Sequence, residues 1–218
     1  NHEGYVIWHA QSGAPRSGPL FDVFRYSYWT YEQLGADVSV LKAMPKQVSK
    51  NHSEAGEFRV VHASMKGERR GIYPGTDEDA LLELIAPPPA VLAVGHTHRP
   101  LIRRVEDALV VNAGSVGLPF DGDQRAAYAQ IVYKGGSWSA EIIRLSYDVA
   151  QAERDFYATG FLRDAGPLSR LILLELQLSL SQFHCWVNRY MDSVLEGEIS
   201  VDEAVEEYLG NPITQLCW

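Results

Sequence analysis

Ala90-Val91-Leu92-Ala93-Val94-Gly95-His96-Thr97-His98-Arg99-Pro100 is the stretch that decides how this chain folds. Five apolar residues run into a glycine, then into two histidines at positions i and i+2, then into a proline. A short apolar run closed by turn residues reads as a buried strand. Gly95 is expected to let the backbone turn sharply so that the flanking imidazoles reach inward, and Pro100 to stiffen the exit. Strand ends in layered α/β proteins are where side chains from several strands converge on ligands. Imidazole nitrogen is a good ligand for transition-metal ions, and two histidines in one turn can face neighbouring ions.

Outward from this stretch the same pattern recurs. Phe58-Arg59-Val60-Val61 ends at His62, and Ala108 to Val111 ends at Asn112-Ala113-Gly114-Ser115. Ala127 to Tyr133 and Ser137 to Leu145 flank Lys134-Gly135-Gly136, which reads as a hairpin. Between these strands Thr76 is expected to cap a helix over 77–85, stopped by Pro87-Pro88-Pro89. Upstream, Gly13, Pro15, Gly18 and Pro19 read as a loop, followed by a partly buried aromatic segment from Phe21 to Tyr31. A helix is expected from Tyr31 to Met44, ending before Pro45.

Past Tyr147 the pattern turns helical. Asp148 can cap a helix that stops at Gly160, and Pro167 suits the first turn of a second. Leu174, Leu176, Leu178 and Leu180 alternate as a strand would, yet Leu, Glu and Gln are helix formers, and helix is favoured. Ser200-Val201-Asp202-Glu203 is a capping box for a last helix.

Composition narrows the functional classes. The chain has 218 residues, 46% of them hydrophobic and 22% charged, with a formal net charge of -9. An acidic balance argues against extended nucleic-acid binding, which needs clustered Lys and Arg. It leaves room for a small phosphoester, because bound cations can reverse the local field. The longest apolar stretch, Leu171 to Leu180, is interrupted by Glu175 and Gln177 and is too short to span a bilayer. Cys185 and Cys217 form no CxxC pair and read as thiols of a reducing, cytoplasmic compartment. His9, His52 and His184 read as surface or hydrogen-bonded residues rather than ligands.

Gly95-His96-Thr97-His98-Arg99-Pro100 resembles the GHTH signature of calcineurin-like metallophosphoesterases. Val110 to Gly117 resembles the strand and turn that follow it in the bacterial single-domain phosphodiesterase branch. His62 resembles the family's isolated His ligand, and Asn1-His2-Glu3 the tail of its GNHE motif. The four elements, spread over about residues 1–148, come in the family's order. The resemblance implies that Asn1, His62 and His96 bind one divalent ion and His98 the other. It implies two ions, Mn²⁺ first, with Zn²⁺, Fe or Ni²⁺ as alternatives. His2 would act on the leaving group as the catalytic residue, while Arg99, Asn112 and Ser115 would be supporting or turn residues. The family also carries Asp-x-His and Gly-Asp motifs ahead of GNHE. Neither occurs in the matching place here, so the chain reads as truncated and, alone, as a weak metal binder with poor turnover.

The expected fold is a four-layer α/β/β/α metallophosphoesterase-type sandwich with its first strands missing. Residues 1–148 would form the phosphoesterase domain and 149–218 a helical C-terminal extension. The expected activity is metal-dependent hydrolysis of a small phosphoester, with no membrane association and with a homo-oligomer left open. Two alternatives stand beside it: a phosphatase acting on phosphoprotein or dinucleoside polyphosphate, and a metal-free interaction scaffold of the same fold.

Overall fold

The computed structural model describes residues 2–11 and 13–214, and for residues 2–5 the backbone alone. In chain order the elements are α1 (His2–His9), α2 (Pro19–Val23), α3 (Arg25–Gln33), α4 (Ser39–Ala43), β1 (Gln47–His52), β2 (Gly56–Val61), α5 (Glu78–Ile85), β3 (Val91–Val94), β4 (Leu101–Val105), β5 (Ala108–Asn112), β6 (Ala126–Lys134), β7 (Ser137–Leu145), α6 (Val149–Ala158), α7 (Phe161–Asp164), α8 (Ser169–Leu178), α9 (Phe183–Leu195) and α10 (Val201–Gly210). They divide into two compact units, Pro45–Tyr147, and Asn1–Met44 together with Asp148–Trp218. The architecture is α/β, with a mixed sheet as its core and a helical C-terminal extension.

Within Pro45–Tyr147 the central sheet has the order β1-β2-β3-β5-β4. The three middle strands run parallel, and both edge strands are antiparallel to their neighbours. A strand buried on both faces needs an apolar residue at every position rather than at alternate ones. β5 meets this from Ala108 to Val111, and its last residue, Asn112, is buried as well. One face of the sheet carries Leu92, Val94 and Val110 against Ile72, Leu81, Leu84 and Ile85, the last three from α5. The other face carries Val91, Leu109 and Val111 against Ala129, Ile131, Trp138, Ala140 and Ile142 of the β6–β7 hairpin. This unit therefore has three layers: helix, five-stranded sheet and two-stranded sheet. Burying one such Leu, Ile or Val is worth about 1.5–3 kcal/mol. Two hydrogen bonds latch the hairpin to the β1–β2 turn, from Trp138 Nε1 to the Ala55 carbonyl (2.7 Å) and from the Tyr133 hydroxyl to the Glu54 carbonyl (2.8 Å).

In the helical unit Trp186 and Tyr208 are fully buried. The alternating leucines of 171–180 lie on α8, where Leu171, Leu173 and Leu176 are buried. Glu175 is buried on that helix too, and its Oε1 accepts the backbone N–H groups of Gln182 and Phe183, both at 2.8 Å. It thereby satisfies donors at the start of α9, which otherwise has no side-chain cap there. The capping box at Ser200 and Glu203 is present as read.

Several local expectations are corrected. The helix expected over 31–44 is interrupted, because Gly35 and Ala36 take φ of 63° and 59° and α4 starts only at Ser39. The aromatic segment before it is helical, as α2 and α3. The cap of α5 is Asp77, whose Oδ1 accepts from Ala80 N, while the Thr76 hydroxyl accepts from Tyr73 N. The strands β1 and β4 and the helix α9 are additions to the elements read from the sequence. Cys185 is disulfide-bonded and not a free thiol, which removes it as support for a reducing compartment; Cys217 lies outside the described residues. No helix among the described residues is long and apolar enough to cross a membrane.

Candidate functional site

Parallel strands end at one edge. β2, β3 and β5 therefore deliver His62, the 95–98 turn and Asn112 to the same rim of the sheet. The backbone ties these ends together: Gly95 N donates to the His62 carbonyl at 2.9 Å, and Ala113 N to the Val94 carbonyl at 3.4 Å.

The imidazoles of His62 and His96 meet there, with Nε2 of the first 3.1 Å from Nδ1 of the second and the rings in an edge-to-face arrangement at 66°. Without an ion one ring donates to the other. The same separation fits two imidazoles sharing one divalent ion, since each metal–nitrogen bond is about 2.0–2.1 Å. Burial pushes the His96 imidazole down to about 4, and the neighbouring His62 and His98 act in the same direction. The Arg69 backbone, hydrogen-bonded to the ring, works against that. His96 is thus held in the neutral form that can ligate a metal.

His98 is oriented by its surroundings. Its Nδ1 lies 2.7 Å from the Leu118 carbonyl, which can only accept, so Nδ1 carries the proton and Nε2 is the acceptor nitrogen. A backbone carbonyl fixing one ring nitrogen is the arrangement that presents the other to a metal. Phe120 stacks on the ring at 4.8 Å and donates its backbone N–H to the His98 carbonyl at 3.0 Å.

The turn itself departs from expectation. Gly95 has no positive φ; the left-handed positions are His96 (66°) and His98 (54°). Thr97 N donates to the Gly95 carbonyl at 2.8 Å, which makes His96 the centre of a three-residue turn of the strained γ type. Left-handed backbone costs an L residue with a β-carbon roughly 1–2 kcal/mol. Such strain persists only where neighbours over-determine it. Those neighbours are Asn112, Thr97, Arg99 and Gly71, none of which the histidine spacing points to. Arg99 is buried, donates from Nε to the Phe120 carbonyl at 3.2 Å and lies over the Tyr73 ring. Gly71 lies so close that an added Cβ would sit 2.6 Å from Thr97 Cγ2 and 2.9 Å from His96 Cδ2.

Beside His62 lies a pocket of about 370 Å³ lined by Val61, Met65, Ser64 and the Lys46–Glu68 ion pair, among others. Of the other sequence candidates, Asn1 lies outside the described residues. His2 is known only as backbone in α1, so its side chain lies outside them too. Among the described residues no group of three or more His, Cys, Asp or Glu is close enough to hold a metal. The donor set in view is two imidazoles together and a third oriented nearby, without a carboxylate.

The profile of the calcineurin-like phosphoesterase superfamily domain matches residues 36–134. A metallophosphoesterase from Sphaerobacter thermophilus is similar in structure, with a TM-score of 0.61 at 23% identity over 83% of this chain and 75% of its own. A hypothetical protein from Pyrococcus horikoshii OT3 is similar at a TM-score of 0.59 and 18% identity, over 76% of this chain and 69% of its own. At these identities the likeness is one of fold. No curated protein matches the chain. The matched superfamily is a hydrolase-associated one, and the matched segment includes the histidines of the strand-end rim described above.

Proposed function

We propose that the superfamily domain of this chain contributes the histidine side of a dinuclear centre that hydrolyses a small phosphoester. The observation that carries this reading is the 3.1 Å approach of His62 and His96, two imidazoles brought from different strands onto one rim. In this reading His62 and His96 share one divalent ion, with Asn1 as a further ligand, and His98 serves the second ion through Nε2. Mn²⁺ is the ion put forward first, with Zn²⁺, Fe and Ni²⁺ as alternatives. Bound ions of this kind lower the pKa of a water nucleophile and neutralise charge on the phosphoryl oxygens. What the chain's own residues do is orient the His98 ring through the Leu118 carbonyl and keep His96 neutral through its burial. His2 would hand a proton to the departing oxygen.

The test is Mn²⁺ binding by calorimetry to the intact chain and to His96→Ala and His62→Ala, with hydrolysis of bis(p-nitrophenyl) phosphate measured in parallel. Saturable binding that either substitution weakens at least tenfold supports the reading. Binding indifferent to both substitutions removes it.

A second reading is favoured by a specific observation. The described residues hold no group of three or more His, Cys, Asp or Glu placed to share a metal. Taken by themselves they suit a metal-free interaction scaffold of the same fold better than a complete hydrolase. The rim would then be a contact surface, and neither Mn²⁺ nor loss of His96 would alter what the protein does.

A further inference from the structure

Asn112 is the last residue of β5 and is fully buried. Its register fixes it between Val94 of β3 and Leu101 of β4, so its side chain has little freedom to choose partners. Its amide uses both donor hydrogens and its acceptor. Nδ2 donates to the Gly95 carbonyl at 2.7 Å and to the Thr97 hydroxyl at 2.8 Å, and Oδ1 accepts from Gly114 N at 2.9 Å.

The two Nδ2 contacts grip the residues on either side of His96. The Thr97 hydroxyl also accepts from Arg99 N at 3.4 Å, which spans His98. One buried amide therefore bridges His96 directly and, by fixing the Thr97 hydroxyl, supports the contact that spans His98, the other left-handed residue of the turn. An isolated turn with two such residues would relax, because left-handed backbone is uncommon and costly for any residue with a β-carbon. We propose that Asn112 is a positioning residue that holds His96 and His98 in their left-handed conformations, and so sets where their imidazoles point. This rests on the reading of those histidines as metal ligands, but its physical content is a backbone state that exists without metal.

Asparagine is the residue that suits the task. Aspartate has nearly the same shape and keeps the acceptor for Gly114 N, yet it would set an oxygen against the Gly95 carbonyl. The intact chain and its Asn112→Asp and Thr97→Val variants, all metal-free, test the idea by NMR. Carbon-13 shifts and backbone couplings of His96 and His98 report the sign of φ. Melting temperature and Mn²⁺ affinity are recorded alongside.

In N112D both histidines are expected to lose the positive-φ signature, with other shifts confined to the turn and Mn²⁺ affinity lower by about 10–100-fold. T97V, which removes one of the two contacts, is expected to move the same signals by less. Positive-φ signatures retained in both folded variants overturn the proposal, as does a lowered melting temperature with an unchanged turn. If N112D fails to fold, T97V alone decides. A wild-type chain that binds no Mn²⁺ counts against the hydrolase reading, while the backbone signatures still judge Asn112.

Discussion

Two histidines of this rim, His96 and His98, take left-handed backbone, and each is held by something other than its neighbours in sequence. Gly71 is the clearest case. A methyl group there would have to share space with Thr97 and His96, so Gly71→Ala is expected to displace the His96 ring and destabilise the fold by about 1–3 kcal/mol, as overpacking does. Urea unfolding gives the energy, and the His96 ring signals give the displacement. The protonation state of His96 follows from the same crowding. Its imidazole titrates at about 4, below the unfolded value near 6.5, so the unfolded chain takes up the proton first. Its contribution to stability is whole above about pH 6.5 and is lost as pH falls toward 4. Denaturant unfolding between pH 7 and 4 should show a shallower acid loss in His96→Gln than in wild type. Equal slopes would place the cause elsewhere. The histidines themselves were legible as candidates from a His-x-His after an apolar run. The strain in them was not, because φ depends on the buried amide of Asn112, seventeen or fewer residues away in sequence but one strand across in space.

Elements were legible where one force dominates. β3 and β5 are continuous apolar runs, the hairpin β6–β7 is pinned by Gly135-Gly136, and α10 announces itself by its capping box. β1 is exposed along its whole length, so it has no buried face to write a period into the sequence. The cap of α9 is equally silent, since it comes from Glu175 on another helix. Burial pushes that carboxyl up to about 7, with the Phe183 and Gln182 N–H groups pulling it partly back. A carboxyl whose folded value is raised favours folding when protonated. That contribution is intact below about 4.5 and is lost as pH rises through 7. Glu175→Gln keeps an oxygen acceptor and cannot ionise, so its stability relative to wild type should improve between pH 5 and 8.5 in chemical denaturation. A variant that loses the same stability at both pH values would show that the charge is unimportant. In the sheet, Leu109→Ala removes a side chain buried between β3 and the hairpin and should cost about 2–5 kcal/mol, read as a lower urea midpoint with an unchanged slope.

For the molecule as a whole, tryptophan placement offers a probe. Of the five tryptophans only Trp138 falls in Pro45–Tyr147, the unit that holds His62, His96 and His98. If Mn²⁺ binds at those histidines, it should raise the unfolding midpoint seen through Trp138, and Trp138→Phe should remove that signal. A shift of the same size in His96→Ala would mean that the ion merely screens an acidic chain of net charge -9. Sequence by itself determined the α/β class, the apolar core strands, the caps of α6 and α10 and the candidate ligands His62, His96 and His98, because hydrophobic period, turn chemistry and capping are local properties of the chain. Only the tertiary structure decided that Asn1–Met44 clusters with the C-terminal helices, that the central sheet is mixed with β4 at one edge, and that His62 and His96 come within 3.1 Å. These depend on strand order and on contacts between residues far apart in the chain, which no local pattern encodes.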